Sequence, residues 1–127
     1  MKKMFLDVKG ENKGHYAPGV ISNGMLYISG QLSIDLDTRK VPDGGIEEHM
    51  KLSLHNMERV LHAAGLTKND VVQCSVHLAD IKYWDAINAV YKDFFGDHTP
   101  ARIVVPCPGL HFGCLVEIEA IAEVNKS

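Results

Sequence analysis

LVEIEAIA, residues 115 to 122, is the stretch on which the reading of the fold turns. Val116, Ile118, Ala120 and Ala122 fall on one side of a two-residue period, the mark of a β-strand with an apolar face. The other side reads Leu115, Glu117, Glu119, Ile121, with two carboxylates set between two aliphatic side chains. Such a strand is too apolar for the surface and too acidic for a closed core. It needs a sheet with one face on a core and a second face that is neither free nor sealed.

The rest of the chain supplies that sheet. Immediately before the strand, PCPGLHFG is a loop, and ARIVV is a further strand that should stop near Pro106, since proline cannot donate to a ladder. Residues 81–95 are predicted to be a helix capped by Asp80, with an inner stripe of Trp84, Ile87, Tyr91, Phe94 and Phe95. Gly96 and Pro100 bracket the turn that follows. In VVQCSVHLA (71–79), Val72, Cys74, Val76 and Leu78 alternate as in a half-buried strand.

Residues 46–64 carry the strongest helical pattern. Ile46, Met50, Leu54, Met57, Leu61 and Ala64 make one apolar stripe, Asp43 is a cap candidate, and Gly65 is a stop. Glu47 and Glu48 suit the positive N-terminus. Residues 19–32 read as a hairpin about Asn23-Gly24, the dipeptide that a type I′ turn prefers. Gly30 in it either bulges the strand or lets something approach the backbone. SIDLDTRKVPDGG then reads as a loop.

The order hairpin, helix, strand, helix, strand, strand gives an α+β fold of two helices packed on one mixed β-sheet. No third helix is available for the second face of the sheet. Aliphatic residues among acids on that face predict packing against copies of the same chain, with polar groups trapped at the seam.

Composition narrows the function classes. A chain of 127 residues suits one domain over 1–127, and its 46% hydrophobic and 23% charged residues are ordinary for a globular protein. A net charge of −3 offers no field for polyanions, and no basic track with interleaved aromatics is present, so nucleic acid is not an expected partner. No apolar run is long enough for a signal peptide or a membrane span, which makes the cytoplasm the expected location. Cys74, Cys107 and Cys114 are odd in number and form no CxxC pair, so they read as reduced thiols. Cys107, His111 and Cys114 do contain zinc-type ligands, but at no standard spacing and without an evident fourth ligand.

TPAR at 99–102 followed by VEIEAIA at 116–122 resembles the RidA (YjgF) family of reactive-intermediate deaminases. GHYAPGV (14–20), YISGQL (27–32), AAGL with Asp70-Val71-Val72, and INAVYKDFF (87–95) are similar to further family segments in the same order. The resemblance implies a chorismate-mutase-like subunit, a homotrimer, and active sites in the clefts between subunits. It also implies hydrolysis of 2-aminoacrylate, its tautomer 2-iminopropanoate, and 2-iminobutanoate to 2-oxo acids and ammonia, without metal or organic cofactor.

On the same resemblance Arg102 binds the substrate carboxylate. A guanidinium suits that task because its planar fork meets both oxygens and stays charged when partly desolvated. Glu117 holds the attacking water, and a carboxyl group in a half-buried seam can accept and return a proton. Tyr16 and Asn88 line the cleft, and Ser29, Gly30 and Val104 face the ligand, the last two through the backbone. Without the resemblance Arg102 is an arginine closing a strand, Glu117 a solvated strand acid, Tyr16 a turn residue and Asn88 a helix-surface amide. Glu119 reads as structural, in subunit packing or a salt bridge. Pro106-Cys107-Pro108-Gly109-Leu110-His111 departs from the Leu-Pro of many members, at the expected mouth of the cleft. Two other function classes use the same residues: a non-catalytic module that binds 2-oxo acids through Arg102, and an endoribonuclease acting on single-stranded RNA.

Overall fold

The computed structural model describes residues 1–124. A mixed sheet of six strands carries two helices on one face. The strands are β1 (Lys2–Met4), β2 (Gly19–Ser22), β3 (Met25–Leu32), β4 (Val71–Leu78), β5 (Ala101–Pro106) and β6 (Val116–Glu123). The helices are α1 (Ile46–Ala63) and α2 (Trp84–Phe95). In space the strands run β1-β2-β3-β6-β4-β5, with β4 and β5 parallel and every other pair antiparallel. The last strand in the chain is therefore central. Val116, Ile118, Ala120 and Ala122 are buried under the helices, as their alternation demands.

Asn23 and Gly24 both have positive φ, at 52° and 74°, so the β2–β3 hairpin closes through the I′-type turn that the dipeptide favours. Helix α1 ends where Gly65 supplies a left-handed φ of 74°. The amide of Gly65 then donates to His62 and that of Leu66 to Leu61, a Schellman closure that also buries Leu66.

Four expectations need correction. Asp43 is not the cap of α1: Gly45 occupies that position in extended backbone with no side-chain bond, and Asp43 lies two residues too early to reach the first turn. Val72 does not face the core but is 44% exposed, because the register with β6 slips between Val71 and Gln73 and turns Val71 inward. Residues 81–83 form a separate 3₁₀ turn, capped by Asp80 through the Lys82 amide, and α2 begins only at Trp84. Trp84 itself is 39% exposed rather than part of the inner stripe, whose buried members are Ile87, Val90, Tyr91 and Phe95. Strand β1 was not anticipated. Its three residues, two of them lysines, show no alternation, and only Met4 is buried.

Candidate active site

Strand β6 carries Glu117 away from the helices. The register sets it opposite Leu32 of β3 and His77 of β4, on the uncovered face of the sheet. A cleft of about 440 Å³ opens there, lined by Tyr16, Ser29, Gly30 and Glu117 together with His77, His111, Leu32 and Glu119. The β3–β6 ladder is irregular between Ile28 and Gln31, so Gly30 does sit at a bulge. It also meets a close approach: a Cβ on Gly30 would lie 2.8 Å from Glu117 Oε2. The two alternatives read for this glycine, a bulge or a close approach, thus occur together. Ser29 donates from Oγ to the Ala17 carbonyl at 2.7 Å, and its amide donates to Pro18, which ties the Tyr16 segment to the bulge.

What fixes β6 and the end of β3 is a buried polar stripe on α1. His49, Ser53 and Asn56 follow at steps of four and three, beside the apolar stripe. Asn56 Nδ2 donates to the Leu32 and Ile34 carbonyls, at 3.1 and 2.8 Å. Ser53 Oγ donates to Val116 at 3.4 Å. The Leu115 amide donates to His49 Nδ1 at 3.3 Å, and Ser33 Oγ lies 2.7 Å from the same nitrogen.

A backbone N–H can only donate, so Nδ1 carries the lone pair and Nε2 the proton. The Pro42 carbonyl accepts from the other side of the ring. Burial holds this imidazole below its ordinary basicity, against the opposing pull of Pro42 and Glu48. None of the three residues was singled out from the sequence. The signal was present as polar residues at helical spacing, adjacent to the stripe that was read.

Arg102 is held differently. It pairs with Cys74 in the parallel β4–β5 ladder and so points to the helix side of the sheet. Its Nη1 donates to Asn88 Oδ1 at 3.0 Å. The guanidinium carbon lies 4.7 Å from the centroid of the Tyr91 ring and 5.4 Å from that of Trp84. Trp84, Asn88 and Tyr91 share one face of α2, which explains the exposed tryptophan: it flanks the arginine instead of entering the core. Among the described residues no carboxylate lies within ion-pair distance of Arg102.

Cys74 beneath it is buried, which pushes its thiol up to about 11 despite the Tyr91 hydroxyl and the Arg102 charge. Burial also raises the Tyr91 hydroxyl, further helped by Cys74. Neither is a ready nucleophile at neutral pH. Val104, two residues beyond Arg102, packs its side chain partly against the core.

The candidate residues thus fall into two sets on opposite faces of one sheet. Tyr16, Ser29, Gly30 and Glu117 share the cleft. Asn88, Arg102 and Val104 lie at the α2–β5 edge and do not reach it. Glu119, read as structural, stands 3.6 Å from His77 Nε2. His77 was not anticipated at all. Cys107, His111 and Cys114 form no group able to hold a metal ion among the described residues, and no described helix is long and apolar enough to cross a membrane.

The sequence pattern of the endoribonuclease L-PSP family matches residues 9–124. The human protein named 2-iminobutanoate/2-iminopropanoate deaminase is 38% identical over 109 residues, 86% of this chain and 80% of that one. A RutC family protein of Pyrococcus horikoshii is 37% identical over 86% of both chains. Among solved structures, Escherichia coli TdcF with bound serine superposes with a TM-score of 0.91 at 31% identity, covering 98% of this chain and 100% of the other. RidA from an Antarctic Psychrobacter gives 0.91 at 30% identity, over 98% and 100%. With a matching family pattern over nearly its whole length and relatives of this identity, the chain belongs to the RidA/YjgF family.

Proposed function

We propose that the protein hydrolyses small 2-imino and 2-enamino acids, such as 2-iminopropanoate and 2-iminobutanoate, to 2-oxo acids and ammonia. It acts in the cytoplasm as a homotrimer, in which the Arg102 edge of one copy closes over the Glu117 cleft of the next. The observation that carries this reading is the state of Arg102. A half-buried guanidinium is steadied by an amide and two aromatic rings, yet has no acid of its own within ion-pair distance among the described residues. A fixed cation of this kind is suited to an external carboxylate.

The second requirement is delivery of water to C2 of the bound acid. Glu117, crowded against the Gly30 backbone, is suited to accept a proton from that water as it attacks. Two carboxylates in the cleft oppose a phosphodiester, which argues against RNA as substrate. Separation of the two residue sets on opposite faces favours a site completed by a second copy. Exposed Tyr27 and Ile103 on the uncovered face supply apolar surface for that contact. Mammalian relatives that bear the deaminase name, at 37–41% identity, add support.

Enamines of this kind hydrolyse unaided in water, so the catalyst needs only a few kcal/mol, at about 1.36 kcal/mol per tenfold. Orientation and one proton relay are enough to supply it. The test is steady-state turnover of freshly generated 2-iminopropanoate by wild type, Arg102→Ala and Glu117→Gln. Light scattering in the same buffer should give three times the 14.0 kDa chain mass. Turnover lost in both variants is the expected result. Binding of a 2-oxo acid with no rate above background would replace the enzyme with a binding module, and a monomer with full activity would overturn the shared site.

A further inference from the structure

We infer that His77 is a second proton-transfer group of this site, and that Glu119 is its orienting partner. The inference rests on the imine-hydrolase reading and assigns the group that protonates the imine nitrogen before water attacks, a step ahead of the Glu117 relay. Glu117 can take a proton from water, but the imine nitrogen must also gain protons before the C–N bond breaks. Arg102 cannot serve, because a guanidinium does not release its proton in a protein.

His77 is placed for the task. It pairs with Glu117 across the β4–β6 ladder, so both side chains leave the sheet on the same face as close neighbours. Both line the cleft. Its side chain retains 30% exposure, and Nε2 faces Glu119 Oε1 at 3.6 Å. Among the described residues Nδ1 has no hydrogen-bond partner, and the side chain lines the cleft.

The alternatives in the cleft are worse placed. His111 stacks on Phe112 with centroids 3.8 Å apart in an exposed loop, and Tyr16, half exposed, stands in the loop before β2. His77 alone among these stands on a central strand, where a fixed geometry is available. Glu119 stands near enough to serve an imidazolium as counter-ion and to orient the ring, as a third group orients the base in nucleophile–base pairs.

The reaction then closes on itself. The imidazolium of His77 gives its proton to the imine nitrogen. Water bonds to C2 as Glu117 takes one of its protons, and the C=N bond becomes single. Glu117 returns that proton to the amine nitrogen. The C–N bond breaks as the hydroxyl oxygen forms C=O, its proton passes to His77, and ammonia leaves. Imine and water have become oxo acid and ammonia, with both side chains restored.

The experiment is the pH dependence of kcat and KM on 2-iminopropanoate for wild type, His77→Leu, His77→Gln and Glu119→Gln. Expected for both His77 variants is a fall in kcat of about a hundredfold, the low end of what a positioned proton donor supplies. KM should stay within about twofold because Arg102 still grips the carboxylate. One limb of the kcat profile should vanish, and Glu119→Gln should lower kcat less while keeping that limb. If His77→Leu fails to fold, His77→Gln decides. An unchanged kcat and profile, or a lower kcat with both limbs intact, overturns the role of His77. If Arg102→Ala and Glu117→Gln are nevertheless inactive, the imine-hydrolase reading survives that failure; no turnover in wild type removes both.

Discussion

Arg102 and Glu117 are immobilised by opposite means. The arginine is held by side chains, all from one face of α2 that lies within two turns of helix. The glutamate is held through backbone: its strand and the end of β3 are bonded to α1 residues up to 66 positions away in sequence, and its carboxylate rests against a missing Cβ. A side-chain clamp can be adjusted one residue at a time. A backbone clamp ties the position of the acid to the stability of the fold.

The contrast can be broken from either end, and the arginine end should give the larger effect. Arg102→Lys keeps the charge but loses the fork and the ring contacts. We expect kcat/KM on 2-iminopropanoate to fall about a hundredfold, some 2.7 kcal/mol, with the melting temperature nearly unchanged. A variant that lost stability instead would place the clamp in the fold rather than the site.

At the other end, His49→Leu strands the Leu115 amide and the Ser33 hydroxyl in the interior. Chemical denaturation should show a loss of about 2 kcal/mol, in the range for buried donors without acceptors. The same residue sets a pH dependence. Its basicity in the fold lies below the free value, so its contribution is complete above about pH 6.5 and is lost as pH falls toward the lowered value. Denaturation midpoints followed from pH 7.5 to 5 should decline in wild type more steeply than in His49→Leu; parallel curves would contradict this.

The smallest effect sharpens the comparison best. Gly30→Ala places a methyl group where the Glu117 carboxylate now lies, and a flexible side chain yields before a backbone does. Activity should drop about tenfold, roughly 1.4 kcal/mol, while the denaturation midpoint barely moves. A large stability loss with activity per folded molecule unchanged would show that the glycine serves the bulge alone.

These clamps also mark where the sequence was legible. The alternation of 116–122 and the four-three stripe of α1 each report a face through near neighbours, and both faces are where the pattern puts them. Trp84 misled because its helical phase fits the core while its partner, Arg102, arrives from another strand. Val72 misled because a register slip is a property of two strands, and a single strand carries no sign of it. His49, Ser53 and Asn56 escaped for a related reason: a polar residue beside an apolar stripe looks solvated until the segment that accepts its bonds is in place. His77 is the same case on the open face, since only the β4–β6 ladder sets an imidazole next to two acids. The separation of Arg102 from the cleft is likewise a matter of register, and motif order along the chain does not contain it.

Trp84 is the only tryptophan in the chain. Its indole stands 5.4 Å from the Arg102 guanidinium, in a half-wet setting sensitive to any anion that docks there. The molecule therefore carries its own optical gauge of occupancy, and filling of the arginine can be followed by emission in unlabelled protein, even in variants that no longer turn over.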